Sequence, residues 1–142
     1  MHQFILFFSL MICHFLADFT QLSTIEMLQA KKFGAPVLPI WEHAARHAKL
    51  MAFPIGFFVA FAPPEYAFLN VVPEYFRCLL IAVGLCIFEL ITHGFIDIAK
   101  GRIAYKYLKF RDNQQYPYWW LFGADQFIHV MVVYLISWWA TN

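Results

Sequence analysis

The chain has 142 residues, of which 62% are hydrophobic and only 13% carry a charge. A soluble domain has about a quarter charged residues, so this composition favours a membrane protein, with a very apolar soluble helical bundle as the alternative. The formal net charge of +1 excludes a general electrostatic attraction to nucleic acid, and we expect no nucleic-acid partner.

Four apolar segments follow one another along the chain. Each comes close to the roughly 20 residues that a spanning helix needs, once its polar end turn is included. We therefore predict one all-α transmembrane domain, residues 1–142, with four transmembrane helices in an up-down bundle. The predicted spans cover about residues 3–21, 41–62, 75–98 and 119–139.

The first segment lacks the Lys/Arg start and the small-residue cleavage site of a signal peptide, so we expect a retained span. The three cysteines, Cys13, Cys78 and Cys86, form no CxxC pair and lie in apolar runs. Cysteines in such positions behave as small buried hydrophobic residues.

Two connections join the spans on one side. Residues 22–40 predict an interfacial helix ended by Pro36 and Pro39, and residues 99–118 predict a basic, aromatic loop. Pro54 is expected to kink the second span.

Basic residues are distributed very unevenly between the two sides. Nine of the ten Lys and Arg residues lie in or beside the connections 22–40 and 99–118, whereas the opposite side has only Arg77. The positive-inside rule then predicts that both connections are cytoplasmic and that both termini face outwards. For a bacterial protein, this places the chain in the inner membrane as a multi-pass protein.

Polar residues recur at a spacing of four in all four spans, which puts each pair on one face of a helix. In an up-down bundle the four pairs would meet at the cytoplasmic level. The pairs are His14 with Asp18, His43 with His47, His93 with Asp97, and Asp125 with His129. Titratable groups at membrane depth are costly, so a cluster of them indicates a functional site.

A weak internal repeat accompanies these pairs. HFLAD in the first span resembles HGFID in the third, and HAARH in the second corresponds to DQFIH in the fourth. The repeat predicts two similar helical hairpins that run in the same direction.

Imidazole and carboxylate groups on facing helices can bind one cation, and this ligand set suits Zn²⁺, with Mn²⁺ or Fe²⁺ as further possibilities. The number of such groups leaves room for two metal ions. The predicted metal ligands are His14, Asp18, His93, Asp97, Asp125 and His129, and the predicted catalytic residues, which would orient water or substrate, are His43, His47 and Gln126.

Simpler interpretations exist for single residues. Asp125 follows Gly123-Ala124 and could be a helix N-cap, and a lone histidine is more often a packing residue than a ligand. Lys100 fits an ordinary cytoplasmic anchor better than a phosphate or headgroup contact. Glu89 could be a partner of His93, a proton-relay group or a helix–helix contact.

The ordered motifs HxxxD, HxxxH, HxxxDxxK and DQxxH resemble those of a family of small multi-spanning bacterial and phage membrane proteins. That family is catalogued only as a domain of unknown function. The resemblance covers nearly the whole chain and implies the same membrane topology and the same site residues. It implies no activity.

From the residues we predict a metal-dependent hydrolase that acts on a lipid-linked or amphipathic substrate in the bilayer, with a homo-oligomer possible. The alternative is a proton- or ion-conducting or transport protein with a His/Asp/Glu relay. A third possibility is a non-enzymatic membrane subunit. The outer halves of the spans are almost wholly apolar, which favours a site on one side of the membrane over a transport pathway.

Overall fold

Five α-helices and one 3₁₀ turn form the computed structural model, which describes residues 1–61, 64 and 72–142. The helices are α1 (His2–Phe19), α2 (Ile25–Phe33), α3 (Val37–Phe61), α4 (Glu74–Lys106) and α5 (Tyr116–Thr141), and the 3₁₀ turn covers Leu108–Phe110. The predicted all-α class is confirmed. Residue 62, the predicted end of the second span, and most of the link that follows lie outside the described residues.

Within this described part of the chain, three helices are long and apolar enough to cross a membrane, namely α1, α4 and α5. They correspond to the first, third and fourth predicted spans and indicate a membrane protein. The second predicted span, α3, is not among them. Its first half carries Glu42, Arg46 and Lys49, which lower its hydropathy. Transmembrane insertion of α3 therefore stays a prediction.

The helix α2 has well-defined ends. The hydroxyl oxygen of Thr24 accepts a hydrogen bond from the backbone N–H of Met27 at 3.2 Å, which caps the first turn. Gly34 ends the helix in the left-handed conformation at φ 67°. The glycine, rather than the predicted prolines, therefore ends α2. Pro39 lies in the first turn of α3, where the missing N–H of proline costs little.

The third predicted span is longer than expected, and the loop that follows it is shorter. The predicted span ended at residue 98, but α4 continues to Lys106. This extension forms because α2 packs against it: the backbones of Gly101 and Gly34 are in close contact, and Ala104 is buried. At 1.5 Å per residue α4 is about 50 Å long, more than the roughly 30 Å of a bilayer core.

Pro54 lies inside α3, which continues through it. Proline has no N–H to bond the carbonyl of Leu50, four residues earlier. The Sγ of Cys13 on α1 lies 3.5 Å from that carbonyl oxygen and supplies a weak donor. A neighbouring helix thus satisfies the backbone group that the proline leaves free.

The bundle interior has an apolar layer at one end. Side chains from the first half of α1, the second half of α3, the first half of α4 and the second half of α5 form one buried cluster. Neighbouring helices must run in alternating directions for these halves to meet. The members include Leu6, Leu10, Met51, Ile55, Ile81, Leu85, Val133 and Ile136.

Large apolar side chains cover much of the outside of the bundle. On α3, Phe53, Phe57 and Phe61 follow one another at a spacing of four and are 80%, 48% and 77% exposed. On α1, Phe4, Phe8 and other large residues are also exposed. A protein whose surface is apolar and whose interior is partly ionisable is suited to a lipid environment.

Candidate metal centre

The polar residues of four helices meet inside the bundle, at the opposite end from the apolar layer. All of them are buried or nearly buried, and three of the histidines have no exposed surface. The cluster consists of His14 and Asp18 (α1), His43 and His47 (α3), Glu89, His93 and Asp97 (α4), and Asp125 and His129 (α5).

Asp18 forms the side of the cluster nearest α2. Its Oδ1 accepts from the Nζ of Lys31 at 2.7 Å and lies 2.9 Å from the Nε2 of His43 and 3.4 Å from the Nε2 of His47. Lys31 also lies 3.3 Å from the Oδ2 of Asp97. A single lysine of α2 therefore joins the carboxylates of α1 and α4.

Lys31 is buried, yet it remains charged. Burial disfavours its ammonium form, but the carboxylates of Asp97 and Asp18 outweigh that effect and raise the pKa of Lys31. The two carboxylates thus favour the charged form of Lys31 within the cluster.

The hydrogen bonds of Ser23 determine which ring nitrogen of His43 carries the proton. The Ser23 hydroxyl donates to the carbonyl of Ala17 at 2.7 Å and lies 3.0 Å from the Nδ1 of His43. Because its only proton goes to Ala17, Ser23 must accept from Nδ1–H. In neutral His43 the Nε2 lone pair then points into the cluster, where the ammonium of Lys31 donates to it at 2.9 Å.

His93 is oriented in a similar way. Its Nδ1 lies 3.2 Å from the Oε1 of Glu89, one turn earlier in α4, which is within reach for Nδ1–H to donate to an ionised Glu89. The Nε2 lone pair of neutral His93 then faces Asp97, whose Oδ2 is 3.4 Å away. Metal-binding histidines commonly have their second ring nitrogen held by a carboxylate in this manner.

His129 lies between two carboxylates. Its Nε2 is 3.7 Å from the Oδ1 of Asp97 and 3.6 Å from the Oδ1 of Asp125. The second oxygen of Asp125 accepts from the Nζ of Lys100 at 2.8 Å and from the amide of Gln126 at 3.2 Å. Lys100 is therefore the ion-pair partner of Asp125 and is not simply a membrane anchor.

Several atoms in this region lack a hydrogen-bond partner, although they are fully buried. Such atoms are costly, because burial removes their bonds to water. Among the described residues they include both ring nitrogens of His14, Nε2 of His93, Nε2 of His129, both oxygens of Asp97, and one oxygen each of Glu89 and Asp125. Two of them have an ion-pair contact instead: Asp97 Oδ2 lies 3.3 Å from the Nζ of Lys31, and His14 Nε2 lies 3.4 Å from the Oδ2 of Asp18.

The separations of these atoms fit a shared cation. Two ligands of a tetrahedral Zn²⁺ with Zn–N bonds of 2.0–2.1 Å lie about 3.3 Å apart, which is longer than a normal hydrogen bond. His93 Nε2 and Asp97 Oδ2 are 3.4 Å apart, and His129 Nε2 lies 3.7 Å from Asp97 Oδ1. A proton or a cation between these atoms would compensate their burial.

Three overlapping groups in the described chain have ligand atoms that all lie within 4.8 Å of one another, and each contains His93. Because one histidine is common to all, the groups are alternative descriptions of one polar centre. They are His14–His47–Glu89–His93, Asp18–His43–His47–His93 and His93–Asp97–His129.

Charge balance also favours a divalent cation. Four carboxyl groups face two ammonium groups, those of Lys31 and Lys100. If all are ionised and the histidines are neutral, two negative charges remain, which one divalent ion neutralises. Without a metal ion, two further protons are needed on the carboxyl or imidazole groups.

The structure brings together every histidine and carboxylate of the predicted site. His43 and His47 lie within the cluster, as deeply buried as the predicted ligands, while Gln126 is at its edge beside Asp125. Asp125 is absent from the three ligand groups, and its alternative interpretation as an N-cap is wrong because α5 begins nine residues earlier at Tyr116.

Two residues of the site were not predicted. In the amino-acid sequence, Lys31 is recognisable only as one of the basic residues of a connection. Ser23 lies between α1 and α2 and belongs to no motif. Their contacts with the cluster residues His43 and Asp97 span 12 to 66 positions, so no local pattern could reveal them. The capping residue Thr24 and the basic end of α2 were the available signals for a helix at this place.

The fold and the site thus define a helical protein with apolar, membrane-length helices around a buried His/Asp/Glu cluster. The profile of the family described as "Protein of unknown function (DUF3307)" matches residues 6–142. The chain belongs to this family, and the resemblance to a domain of unknown function is confirmed. No curated protein and no solved structure matches the chain.

Proposed function

We propose that the chain is a metal-dependent hydrolase of the membrane, which acts on a lipid-linked or amphipathic substrate at the cytoplasmic end of its bundle. One observation carries the proposal: Nε2 of His93, Nε2 of His129 and both oxygens of Asp97 are buried atoms without a hydrogen-bond partner, and each nitrogen lies 3.4–3.7 Å from an Asp97 oxygen. A divalent cation satisfies all three residues together.

His93, Asp97 and His129 are the principal candidates to hold the ion, since their ligand atoms all lie within 4.8 Å of one another. Zn²⁺ suits this ligand set best, with Mn²⁺ or Fe²⁺ as the next choices. Asp18 is better explained as the acceptor that holds Lys31 in place, because its Oδ1 already accepts from that ammonium at 2.7 Å.

A divalent ion supplies Lewis acidity, which makes water reactive near neutral pH. In the hydrolysis, the oxygen of water bonds to the acyl or phosphoryl atom, the bond to the leaving oxygen breaks, and that oxygen receives a proton. His43 and His47 could move this proton, since both are buried in the cluster and interact with Asp18. The amide of Gln126 lies at the edge, where it could orient the substrate.

The proposal includes α3 as a transmembrane helix, in addition to α1, α4 and α5. The second half of α3, from Leu50 onwards, carries no charged residue and exposes Phe53, Phe57 and Phe61. With four spans, both basic connections lie on the cytoplasmic side of the inner membrane and both termini on the other.

A proton or ion pathway is less well supported. Glu89, His93 and Asp97 do form a chain, with contacts of 3.2 and 3.4 Å. Beyond Glu89, however, most of the described interior is the apolar layer with Leu10, Met51 and Leu85. The hydroxyl of the buried Ser137 donates to the carbonyl of Tyr134 in its own helix at 2.7 Å. A pathway across the membrane requires polar groups or water there.

Elemental analysis of detergent-purified protein tests the metal centre. We expect near-stoichiometric Zn, Mn or Fe in the wild type and in the exposed-histidine control His2→Ala, and none in His93→Ala/Asp97→Ala. Folded wild-type protein without metal, grown with metals present, contradicts the proposal.

Turnover is then measured with the metal-loaded protein on phospholipid, prenyl-phosphate and peptide panels. A hydrolase releases product in the wild type and in His2→Ala, but not in His93→Ala/Asp97→Ala. If none of the panels is cleaved and the double variant loses no cellular function, the hydrolase assignment fails even if a metal is bound.

A further inference from the structure

A pocket of about 430 Å³ adjoins the cluster at the end where α2, α4, the 3₁₀ turn and α5 meet. We infer that this pocket binds the phosphate group of an amphipathic molecule. The inference rests on the proposed function and deepens it, because it names the class of substrate.

Positive charge dominates the lining. Four cationic residues, Lys31, Lys32, Lys100 and Arg111, face one carboxylate, Asp18. Cationic side chains gathered in a concave site raise the local concentration of anions. An anionic ligand is therefore favoured over a neutral or cationic one.

Two of the four cations already have carboxylate partners. Lys31 lies 2.7 Å from Asp18, and Lys100 lies 2.8 Å from Asp125. Their charges are largely neutralised by the protein itself, so the attraction for a ligand must come from the other two residues.

Lys32 and Arg111 have no carboxylate within ion-pair distance in the part of the chain that the structure describes. The Nζ of Lys32 lies 5.7 Å from the centre of the Phe33 ring. Arg111 donates from Nε to the carbonyl of Ala104 at 2.8 Å, and its guanidinium lies 4.7 Å from the ring centre of Tyr105. These contacts hold the guanidinium in place without neutralising it.

Two uncompensated positive charges match a phosphate better than a carboxylate. A phosphomonoester carries about −1.5 to −2 charges at neutral pH, whereas a carboxylate carries one. Arginine and lysine are also the usual residues that bind phosphate oxygens.

Apolar residues of the pocket lining are the reason to infer an amphipathic ligand. Phe19, Leu28, Leu121 and Phe122 contribute apolar surface to the same pocket. Phe19 and Leu28 are 55% and 47% exposed at the surface of the bundle. A phosphate between Lys32 and Arg111 leaves this apolar surface for an attached hydrocarbon chain.

The pocket is also connected to the cluster. Asp18 and Gln126 line it, and both contact cluster residues, with Asp18 2.9 Å from His43 and Gln126 3.2 Å from Asp125. A molecule bound there is next to the centre that would cleave it.

Binding is measured by calorimetry on the protein in dodecyl maltoside, a detergent that contains no phosphate. The ligands are dihexanoyl phosphatidic acid, the uncharged dihexanoylglycerol and inorganic phosphate. We expect the phosphatidic acid to bind most tightly and the uncharged diacylglycerol at least about tenfold more weakly.

Three double variants test the role of these charges. Two of them each remove two positive charges, and the third keeps both. Lys32→Gln/Arg111→Gln removes the uncompensated cations and should weaken phosphatidic acid binding about tenfold or more. Lys106→Gln/Lys109→Gln removes two exposed cations from the same end of the bundle, outside the pocket lining, and should bind as the wild type does. Lys32→Arg/Arg111→Lys keeps both charges and should retain most of the affinity, which separates lost charge from lost folding.

Equal affinity of the wild type and Lys32→Gln/Arg111→Gln overturns the inference, as does equal affinity for the uncharged diacylglycerol. If inorganic phosphate binds as tightly as phosphatidic acid, the amphipathic part is wrong and a water-soluble phosphate is the ligand.

These results are distinguishable from a failure of the metal centre. Lys32 and Arg111 lie outside the three ligand groups, so the metal content of Lys32→Gln/Arg111→Gln should equal that of the wild type. Conversely, His93→Ala/Asp97→Ala should lose metal and still bind phosphatidic acid. If the wild type binds phosphatidic acid but contains no metal, the phosphate pocket stands and the hydrolase assignment fails.

Discussion

Gly101 on α4 and Gly34 at the end of α2 pack backbone against backbone. A Cβ atom on Gly101 would lie 2.2 Å from the nitrogen of Gly34 and 2.5 Å from the carbonyl oxygen of Lys31. This contact holds α2 close enough for the Lys31 ammonium to reach both Asp18 and Asp97.

The first prediction concerns this contact. Gly101→Ala should destabilise the protein by about 1–3 kcal/mol, because the backbone of α2 must move away. Thermal unfolding in detergent measures the effect. Gly84→Ala and Gly123→Ala are matched controls in helices, where an added Cβ meets nothing within 4 Å. Alanine favours the helix there by up to about 1 kcal/mol, so unchanged or raised stability is expected, and an equal loss in all three variants contradicts the packing role.

The second prediction concerns the buried ammonium. Lys31→Met should cost about 3–5 kcal/mol, because it leaves the carboxylates of Asp18 and Asp97 without their shared cation. Adding Asp18→Asn should recover part of the loss, since one fewer negative charge is then buried. Unfolding of the single and double variants gives the coupling free energy.

Lys32→Met is the control for this pair of measurements, since Lys32 is exposed and has no carboxylate within ion-pair distance among the described residues. Its stability should change by no more than about 0.5 kcal/mol. If Lys31→Met is as stable as Lys32→Met, the ammonium does not hold the cluster together.

Removal of metal is the subject of the third prediction. A ligand at 100 times its dissociation constant stabilises the folded state by about 2.7 kcal/mol. A chelator should therefore lower the Tm of the wild type and of His2→Ala, and added Zn²⁺ should restore it. His93→Ala/Asp97→Ala should show neither change, and a chelator effect of the same size in that variant would place the metal elsewhere.

A fourth prediction tests whether the second half of α3 faces lipid. Phe53→Lys places a charge on a side chain that is 80% exposed, which in a bilayer costs about 2.5–3.5 kcal/mol. We expect a marked loss of membrane-inserted protein, measured after carbonate extraction. Glu42→Lys, an exposed position near the start of the same helix, should insert normally, whereas equal insertion of both variants indicates that Phe53 faces water.

Topology is the fifth prediction. In a background with Cys13, Cys78 and Cys86 replaced by alanine, one cysteine is introduced at Asn142 or at Asn113 in the basic connection. A membrane-impermeant maleimide should label Asn142→Cys in intact cells and Asn113→Cys only after lysis. The reverse pattern would invert the proposed orientation.

Repeating polar pairs in the amino-acid sequence were sufficient to predict much of the site. A spacing of four places His93 and Asp97 on one face of a helix whatever the tertiary fold, and four such pairs in apolar segments pointed to one level of the bundle. The length and hydropathy of these segments also determined the all-α class and the three membrane-length helices.

The tertiary structure alone determined which cation neutralises the buried carboxylates of the cluster. Lys31 enters it because the glycine contact brings α2 against α4, which places its ammonium 3.3 Å from Asp97. The extension of α4 to Lys106 likewise depends on packing against α2. Helical periodicity relates residues three or four positions apart, whereas Lys31 and Asp97 are far apart along the chain. Only the folded backbone brings such residues together.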